Sequence, residues 1–95
     1  MYGAGGQFVN VNSGMCLAVG GASRDNGAAV IQFPCNGRNE QKWTGISHDH
    51  GLFHYINVNS GKCLSVGSAS EEPGAGIIQW QCNDRVRSEQ LWLSI

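Results

Sequence analysis

The strongest constraint on the fold of this 95-residue chain is an internal repeat. The ungapped alignment sets VNVNSGMCLAVGGASRDNGAAVIQFPCN (9–36) over INVNSGKCLSVGSASEEPGAGIIQWQCN (56–83), and 17 of the 28 positions are identical. Beyond this stretch GRNEQKW faces DRVRSEQLW, so the second copy carries two extra residues there. Two copies are clear in the sequence, and there is no third. A repeat of this length indicates two equivalent structural units.

Each copy is predicted to form short β-strands separated by turns rich in Gly, Asn and Ser. The predicted strands are Phe8–Asn12, Cys16–Val19, Ala29–Phe33 and Lys42–Ile46 in the first copy, and Tyr55–Asn59, Cys63–Val66, Gly76–Trp80 and Leu91–Ser94 in the second. No stretch keeps the 3.6-residue apolar period of a helix, and only single 3₁₀ turns are expected, in NEQKW and SEQLW. The pattern therefore indicates an all-β barrel or sandwich. We expect a flexible lead-in at 1–6 and repeats at 7–53 and 54–95, together forming one domain.

Four cysteines indicate two disulfide bridges. Cys16 and Cys35 correspond to Cys63 and Cys82, each by a shift of 47 positions. Of the three possible pairings, Cys16–Cys35 with Cys63–Cys82 is the one consistent with two equivalent units. Each bridge would close a loop of about 20 residues and stabilise the fold by about 3 kcal/mol. The alternative, a zinc site of four cysteines, lacks the usual C-x2-C pairs. Disulfides in turn predict a secreted, extracellular protein.

The composition argues against two classes of partner. Charged residues make up 14% of the chain and the net charge is −1, with no basic cluster to displace counterions from a phosphate backbone. No nucleic-acid partner is therefore expected. No apolar run reaches about 18 residues, so no membrane insertion is expected either. The opening MYGAGG is expected to be an initiator methionine and flexible lead-in, with any native leader already removed.

Two Q-x-W signatures, Gln41–Trp43 and Gln90–Trp92, each follow a VNSGxCLxV hairpin and an IQ[FW]xC strand. This combination resembles the ricin B-chain-like lectins, also called R-type lectins or family 13 carbohydrate-binding modules. The resemblance extends from Gln7 to Ser94. It implies a β-trefoil, in which three such repeats close a six-stranded barrel capped by three hairpins. It also implies that Trp43 and Trp92 belong to the core.

Two repeats supply only two of the three units of a trefoil. An open trefoil leaves strand edges unpaired and a wedge of core uncovered. We therefore predict that the chain is a fragment, or that its trefoil is completed by oligomerisation. Three chains provide six repeats, enough for two trefoils, whereas a dimer provides four and leaves one over. A homotrimer is the favoured assembly.

The resemblance implies one sugar site per repeat, with an aromatic residue that stacks on the sugar ring and polar residues that bind its hydroxyl groups. The aromatic position, two before the second cysteine, holds Phe33 or Trp80. The acidic position, two after the first cysteine, holds Ala18 or Ser65, so both copies lack its carboxylate. Three further positions are candidates: the residue after the second cysteine, the residue before the Q-x-W glutamine, where Glu replaces the family's Asn, and that glutamine itself. In this order they are Asn36, Glu40 and Gln41 in the first copy, and Asn83, Glu89 and Gln90 in the second.

The second site is predicted to be the better one. Trp80 and Ser65 retain more stacking and hydrogen-bonding capacity than Phe33 and Ala18. The two extra residues within 84–88 also give this site a different rim, with a pair of arginines. The alternative is that Phe33 and Trp80 only shield the surface of the hairpin cap and that neither pocket binds sugar.

The segment SHDHGLFH raises a metal hypothesis, with His48, Asp49, His50 and His54 as ligands. A metal site needs three or four converging ligands, and DHG is ordinary turn sequence, so solvated histidines and no metal or cofactor are expected. No Ser/His/acid or paired-carboxylate arrangement stands out, so no enzymatic activity is predicted. The chain is predicted to be a lectin that binds galactose-type or xylan-type glycans. The alternative is a non-binding trefoil scaffold or interaction protein, excised or engineered.

Overall fold

The computed structural model describes residues 5–82 and 88–93 and shows an all-β chain. Its strands are β1 (Cys16–Val19), β2 (Val30–Phe33), β3 (Trp43–Ser47), β4 (Leu52–Asn57), β5 (Cys63–Val66), β6 (Ile77–Trp80) and β7 (Trp92–Leu93). β1 and β2 form an antiparallel hairpin. β3, β4, β5 and β6 form a second antiparallel sheet, to which β7 is added by pairing with β4. The predicted all-β class is confirmed.

The remaining regular elements are short 3₁₀ turns at Gly20–Ala22, Asn39–Gln41, Asp49–Gly51, Gly67–Ala69 and Ser88–Gln90. The turns predicted in NEQKW and SEQLW are thereby confirmed. No helix in the described part of the chain has the length and hydrophobicity needed to cross a bilayer.

Most of the predicted strands are confirmed to within a residue or two. β1 and β5 have the predicted bounds, and β2, β3 and β6 each begin one residue later than predicted. β7 covers the centre of the predicted Leu91–Ser94, of which Ser94 lies outside the described residues. The strands that pair within each hairpin are therefore the ones that the sequence locates best.

The predicted first strand, Phe8–Asn12, is wrong. Within this range the chain makes a single isolated bridge, at Val9, before it turns. The turn is set by the side chain of Asn10, whose Oδ1 accepts hydrogen bonds from the backbone N–H of Asn12 at 2.9 Å and of Ser13 at 3.0 Å. Asn commonly turns the chain in this way, so the alternating apolar pattern was outweighed by local turn chemistry.

The equivalent strand of the second unit, predicted at Tyr55–Asn59, is displaced toward the N-terminus. β4 ends at Asn57, whose Oδ1 accepts hydrogen bonds from the N–H groups of Asn59 at 3.1 Å and Ser60 at 3.2 Å. The same asparagine turn therefore ends the strand two residues early. At its other end β4 pairs with β3, so the predicted boundary at residues 53 and 54 falls inside a strand of the sheet that the two units share.

The core is drawn from both units. Val19 and Trp43 of the first unit and Leu64 of the second are buried together. Partly buried apolar residues pack around them: Leu17, Ala28, Val30, Tyr55, Ile77 and Trp92. Because neighbouring units share this core, neither would bury its apolar face alone.

Both predicted disulfide bridges are confirmed. Cys16 is bonded to Cys35 and Cys63 to Cys82, and the described residues contain no free cysteine. The zinc alternative is therefore wrong. Each bridge joins the buried first strand of a hairpin to the segment that follows its second strand.

Residues 22–29 of the first unit, which we call the junction loop, pack against β6 of the second unit. The N–H of Gly27 donates to the carbonyl of Gln79 at 2.8 Å. Farther along, the N–H of Gln81 donates to Oδ1 of Asn26 at 2.7 Å. The junction loop therefore pairs with the outer edge of the second hairpin.

The side chain of Gln79 completes this junction. It is 0% exposed, and its Nε2 donates to the carbonyls of Ser23 at 3.0 Å and Asp25 at 2.9 Å. Its Oε1 accepts a hydrogen bond from the hydroxyl of Ser60 at 2.7 Å. One buried amide thus satisfies three polar groups from both units, which fixes their relative orientation.

Candidate functional site

The main pocket of the described residues lies in the second unit and has a volume of about 560 Å³. Its lining consists of Gly27, Ser65, Val66, Gly67, Ser68, Ala69, Ile78, Trp80, Glu89 and Gln90. Four of the five residues predicted for the second sugar site are therefore brought together. The fifth, Asn83, lies outside the described residues. The volume is within the range of small-ligand sites, roughly 300–1,000 Å³.

Trp80 forms the aromatic wall of this pocket. It is the last residue of β6 and pairs in register with Cys63 of β5, whose disulfide bridge cross-links the hairpin. The side chain remains 43% exposed. A large aromatic residue held on a cross-linked hairpin offers a rigid apolar surface at the pocket.

The polar side of the pocket is formed by Ser65, Glu89 and Gln90. Ser65 is 2% exposed, and its hydroxyl donates to the carbonyl of Cys63 at 3.2 Å, which leaves the hydroxyl oxygen as an acceptor. Gln90 is 1% exposed, and its Nε2 donates to the carbonyl of Gln81 at 3.0 Å. Glu89 is partly buried beside them and supplies a carboxylate. A fixed polar base and an aromatic wall therefore share one cavity.

Gly27 is a pocket residue that the sequence did not single out, because it belongs to the first unit, 53 positions before Trp80. Its φ is +87°, and a Cβ at this position would lie 3.8 Å from the ring of Trp80. The junction loop therefore forms part of the rim of the second site. The one signal in the sequence is that Gly27 and its equivalent Gly74 are identical in the two repeats.

The residues predicted for the first site occupy equivalent positions on the first hairpin and the turn after it. Phe33, at the end of β2, is 52% exposed, and Ala18 is buried at 3%. Asn36 is exposed, and its Oδ1 accepts a hydrogen bond from the N–H of Arg38 at 2.9 Å. Glu40 is partly buried. The first unit thus offers an aromatic surface but no hydroxyl at the position of Ser65.

Gln41, also predicted as a sugar ligand, is 0% exposed. Its Nε2 donates to the carbonyl of Pro34 at 2.9 Å, and its Oε1 accepts from the N–H of Asn36 at 2.9 Å. Both ends of the amide are engaged with the loop after β2. This placement suits a residue that holds the site's loop in position better than one that contacts a ligand.

The model of the ricin-type beta-trefoil lectin domain-like family matches residues 3–80 and 45–94 of the chain. The chain belongs to this family. Among curated proteins no sequence matches it. The predicted relationship and the β-trefoil type of fold are both confirmed.

The solved structures that are similar to the lectin-like chain include those of the three proteins that follow. The designed 3-fold symmetric protein ThreeFoil has a TM-score of 0.86 and 33% identity over 92% of this chain and 61% of its own length. The exo-beta-1,3-galactanase 1,3Gal43A from Clostridium thermocellum has a TM-score of 0.90 and 31% identity over 96% of this chain and 19% of its own. The Haemophilus ducreyi cytolethal distending toxin has a TM-score of 0.71 and 22% identity over 92% of this chain and 50% of its own, and shows the fold alone.

The chain thus spans less than two thirds of each of these proteins. Its 61% share of a threefold-symmetric design fits the two trefoil units counted in the sequence.

Within this lectin-like fold the two Q-x-W tryptophans make the same contact. Trp43 donates its indole N–H to the carbonyl of Leu17, and Trp92 donates to that of Leu64, both at 3.1 Å. Trp43 is buried at 2%, whereas Trp92 is partly buried and packs against the core. The predicted structural role of both residues is confirmed.

The histidine segment differs from its prediction. His54 lies within β4 and is only 7% exposed, so the expectation of a solvated side chain is wrong for this residue. Its Nδ1 lies 2.7 Å from Nε2 of His48, and its Nε2 is buried without a hydrogen-bond partner among the described residues. Burial, and secondly the neighbouring His48, lowers the pKa of His54. The described residues contain no group of three or more His, Cys, Asp or Glu side chains that could hold a metal ion.

Proposed function

We propose that this chain is a secreted lectin module that binds galactose-type or xylan-type glycans through the pocket at Trp80. One observation carries the proposal: Trp80 is 43% exposed and shares a pocket with Ser65, Glu89 and Gln90. Membership of a lectin-like family supports carbohydrate binding in general. The choice of a galactose-type ligand is supported by the similarity to an exo-beta-1,3-galactanase.

The pocket has the chemistry that a pyranose requires. One face of the sugar ring carries C–H groups and packs against an aromatic surface, which Trp80 provides. The hydroxyl groups at the ring edge need hydrogen-bond partners, which Ser65 and Glu89 provide. Gln90 is buried like Gln41, and its Nε2 holds the chain at Gln81. A site of about 560 Å³ accommodates one or two sugar residues.

Glu89 takes over the function of the missing strand carboxylate in this proposal. The acidic position of the resemblance is filled by Ser65, which is too short and too buried to bind two hydroxyl groups at once. Glu89 lines the same pocket and precedes Gln90 in the Q-x-W motif. A carboxylate that accepts from sugar hydroxyls makes stronger hydrogen bonds than a neutral group does.

The first site is proposed to bind more weakly. Phe33 supplies an aromatic surface, but Ala18 has no hydroxyl and is buried. Sites that are individually weak gain strength when several act on one glycan surface. We therefore propose that the chain acts as an oligomer, with the homotrimer favoured because six units complete two trefoils.

Secretion and a non-catalytic role belong to the same proposal. Two disulfide bridges persist in an oxidising compartment, which supports an extracellular location. A lectin-like domain binds its ligand without transforming it, which supports the absence of enzymatic activity.

A glycan array, read with and without competing free sugar, tests the proposal. Binding to β-galactosides or xylans that free galactose or xylose displaces is the expected result. The alternative is a scaffold without sugar affinity, as suggested by Ala18 and Ser65 at the acidic position. Absence of displaceable binding to any glycan, by a protein with intact disulfides and a cooperative melt, would favour the scaffold.

A further inference from the structure

We propose that β2 of the first unit is the docking surface for a loop of a second copy of this chain, and that docking completes the first sugar pocket. The loop, which we call the free loop, is residues 69–76 and is the second-unit equivalent of the junction loop. The inference rests on the assembly from several chains proposed above and names the contact that makes it.

The first indication is an unfilled position at Gln32, the equivalent of Gln79. Both glutamines accept a hydrogen bond from a serine hydroxyl through Oε1, at 2.7 Å, from Ser13 and Ser60 respectively. Nε2 of Gln79 donates to two carbonyls of the junction loop. Nε2 of Gln32 has no hydrogen-bond partner among the described residues, and the side chain is exposed. The side-chain amide of Gln32 is therefore oriented to donate hydrogen bonds to a second loop of the same kind.

A hollow lies beside this amide. It has a volume of about 260 Å³ and is lined by Phe8, Val9, Asn10, Met15, Leu17 and Gln32. The apolar residues of this region are much more exposed than their second-unit equivalents. Val11 is 100% exposed and Val58 only 37%, whereas Ile31 is 41% exposed and Ile78 is partly buried. In the second unit the junction loop covers Ile78 through a bridge at Ala29, whereas Val58 is covered by Gly5 and Lys42. Their first-unit equivalents Ile31 and Val11 are more exposed, so the first hairpin presents apolar surface.

The free loop has the conformation that this surface needs. Gly74 has φ +85°, against +87° for Gly27. The N–H of Glu72 bonds the hydroxyl of Ser70 at 3.0 Å, just as the N–H of Asp25 bonds that of Ser23 at 3.1 Å. The carbonyls of Ser70 and Glu72 can therefore be presented to Gln32 of another copy as those of Ser23 and Asp25 are presented to Gln79.

The two prolines of the chain identify the occupant as a second copy. In the junction inside the chain, the N–H of Gln81 donates to the side chain of Asn26. The equivalent donor position on the first hairpin is Pro34, which has no N–H, and the equivalent acceptor position on the free loop is Pro73, which has no acceptor side chain. Only a contact between the free loop and the first hairpin lacks both the donor and the acceptor, so that neither group is left without a partner. A loop that kept Asn at this position would leave its side chain without a donor.

The docked loop would also complete the first sugar site. Gly27 of the junction loop forms part of the rim beside Trp80. By the same geometry Gly74 of the second copy would lie beside Phe33, which is 52% exposed in the single chain. The partner copy therefore contributes a wall to the first pocket, and glycan binding there depends on association.

Trefoil geometry sets the form of this association. A chain of two units leaves space for a third unit. A second copy can fill this space with its own second unit if that unit separates from its first unit, at the turn Asp49–Gly51 between β3 and β4. A separated chain can provide one unit to each of two intact chains, so three chains form two trefoils of six units in all. The donor and acceptor surfaces of the contact differ, as in other heterologous interfaces.

A double-mutant cycle on the prolines tests the contact. Pro34→Gln and Pro73→Asn each install the residue that the other unit carries at the equivalent position, so both should fold. The association constant is measured for all four proteins by sedimentation velocity, without glycan. The double variant, which restores the donor and the acceptor, should associate roughly fivefold more tightly than the two single effects predict. Independent effects of the two substitutions would overturn the proposal.

A second variant addresses the amide. Gln32→Glu keeps the acceptor for Ser13 but sets a carboxylate against two carbonyls, so association should weaken at least about tenfold. Asn39→Asp adds the same charge outside the surface and should leave association unchanged. The proposal would also be overturned if the unmodified chain stayed monomeric up to about millimolar concentration. That result is expected if a third repeat of a longer protein fills the surface. Glycan binding at Trp80 needs no second copy, so the array result and the sedimentation result can fail independently.

Discussion

The indole N–H of Trp43 donates a hydrogen bond of 3.1 Å to the backbone carbonyl of Leu17, 26 positions earlier in the chain. The bond fastens the last strand of the first unit to its first hairpin, inside a core where Trp43 is 2% exposed. Since a buried carbonyl that loses its donor keeps its desolvation penalty, this bond should matter more for stability than a surface bond does.

Trp43→Phe should lower the free energy of unfolding by about 2 kcal/mol, because it removes the donor and leaves a small cavity. Urea unfolding followed by circular dichroism measures the change. Trp80→Phe makes the same chemical change at a residue that is 43% exposed, and it should alter stability by no more than about 0.5 kcal/mol. Equal changes in the free energy of unfolding would show that the hydrogen bond from Trp43 to Leu17 adds no stability.

The two equivalent glutamines provide a matched pair for the junction. Gln79→Ala should destabilise the chain by about 3 kcal/mol, because it removes a buried side chain and leaves the carbonyls of Ser23 and Asp25 without their donor. Gln32→Ala removes the same atoms from an exposed position and should cost less than about 1 kcal/mol in dilute protein. Thermal melts of both variants give the comparison, and a larger loss from Gln32 would contradict the assigned junction.

His54 should make the protein less stable as the pH falls. Burial and the nearby His48 lower its pKa from the ordinary value of 6.5, so between the two pKa values the unfolded chain binds a proton that the folded chain does not. The free energy of unfolding should therefore be highest above about pH 7 and should decline as the pH falls through about 6.5 toward the folded pKa. Melting temperatures from pH 7.5 to 5 measure the decline.

Two variants assign this pH dependence. His54→Gln should flatten the profile, because the titrating ring is removed. His50→Asn changes an exposed histidine at a positive φ that Asn tolerates, and it should leave the profile intact. A profile that flattens with His50→Asn but not with His54→Gln would show that His50, and not His54, causes the pH dependence.

Trp80→Ala should weaken glycan binding by roughly thirtyfold, which corresponds to about 2 kcal/mol from lost stacking and buried area. Phe33→Ala should weaken it less, because Ala18 gives that pocket no hydroxyl. Isothermal titration with a glycan identified on the array measures both affinities, and matched melting temperatures ensure that the variants are folded. Full affinity in a folded Trp80→Ala protein would place the site elsewhere.

Glu89→Gln separates charge from shape in the same pocket. If the carboxylate binds the sugar hydroxyls, affinity should fall about tenfold while the melting temperature changes little, since the charged acceptor is replaced by a neutral amide. Glu40→Gln makes the same change in the weaker first site and should have a smaller effect. An affinity that is unchanged by Glu89→Gln would remove this residue from the proposed site.

Local turn chemistry set the limits of what could be predicted for individual strands. Strand bounds were accurate at β1 and β5, where a buried cysteine begins each strand. They failed at Phe8–Asn12 because the side chain of Asn10 captures the backbone that a strand would need. The same amide chemistry at Asn57 ends β4 two residues before the predicted bound, so one kind of residue accounts for both errors at this turn.

The candidate site was only partly predictable for a different reason. Ser65, Trp80, Glu89 and Gln90 could be found in one repeat, because a repeat carries its own hairpin and Q-x-W segment. Gly27 could not, because it reaches the pocket from the neighbouring unit. The buried state of Gln41 was also hidden, since a glutamine in a short motif gives no sign of whether its amide faces solvent or backbone.

The sequence by itself determined what depends on its own periodicity: two equivalent units, their disulfide pairing and their hairpins. Each of these follows from residues within one repeat or from the shift of 47 that relates the copies. Only the tertiary structure decided how the copies differ. Gln79 is buried by a neighbouring loop whereas its equivalent Gln32 is exposed, and Ile78 is partly buried whereas its equivalent Ile31 is 41% exposed. These differences arise because two units pack against each other on one side only, so identical local sequences have different surroundings.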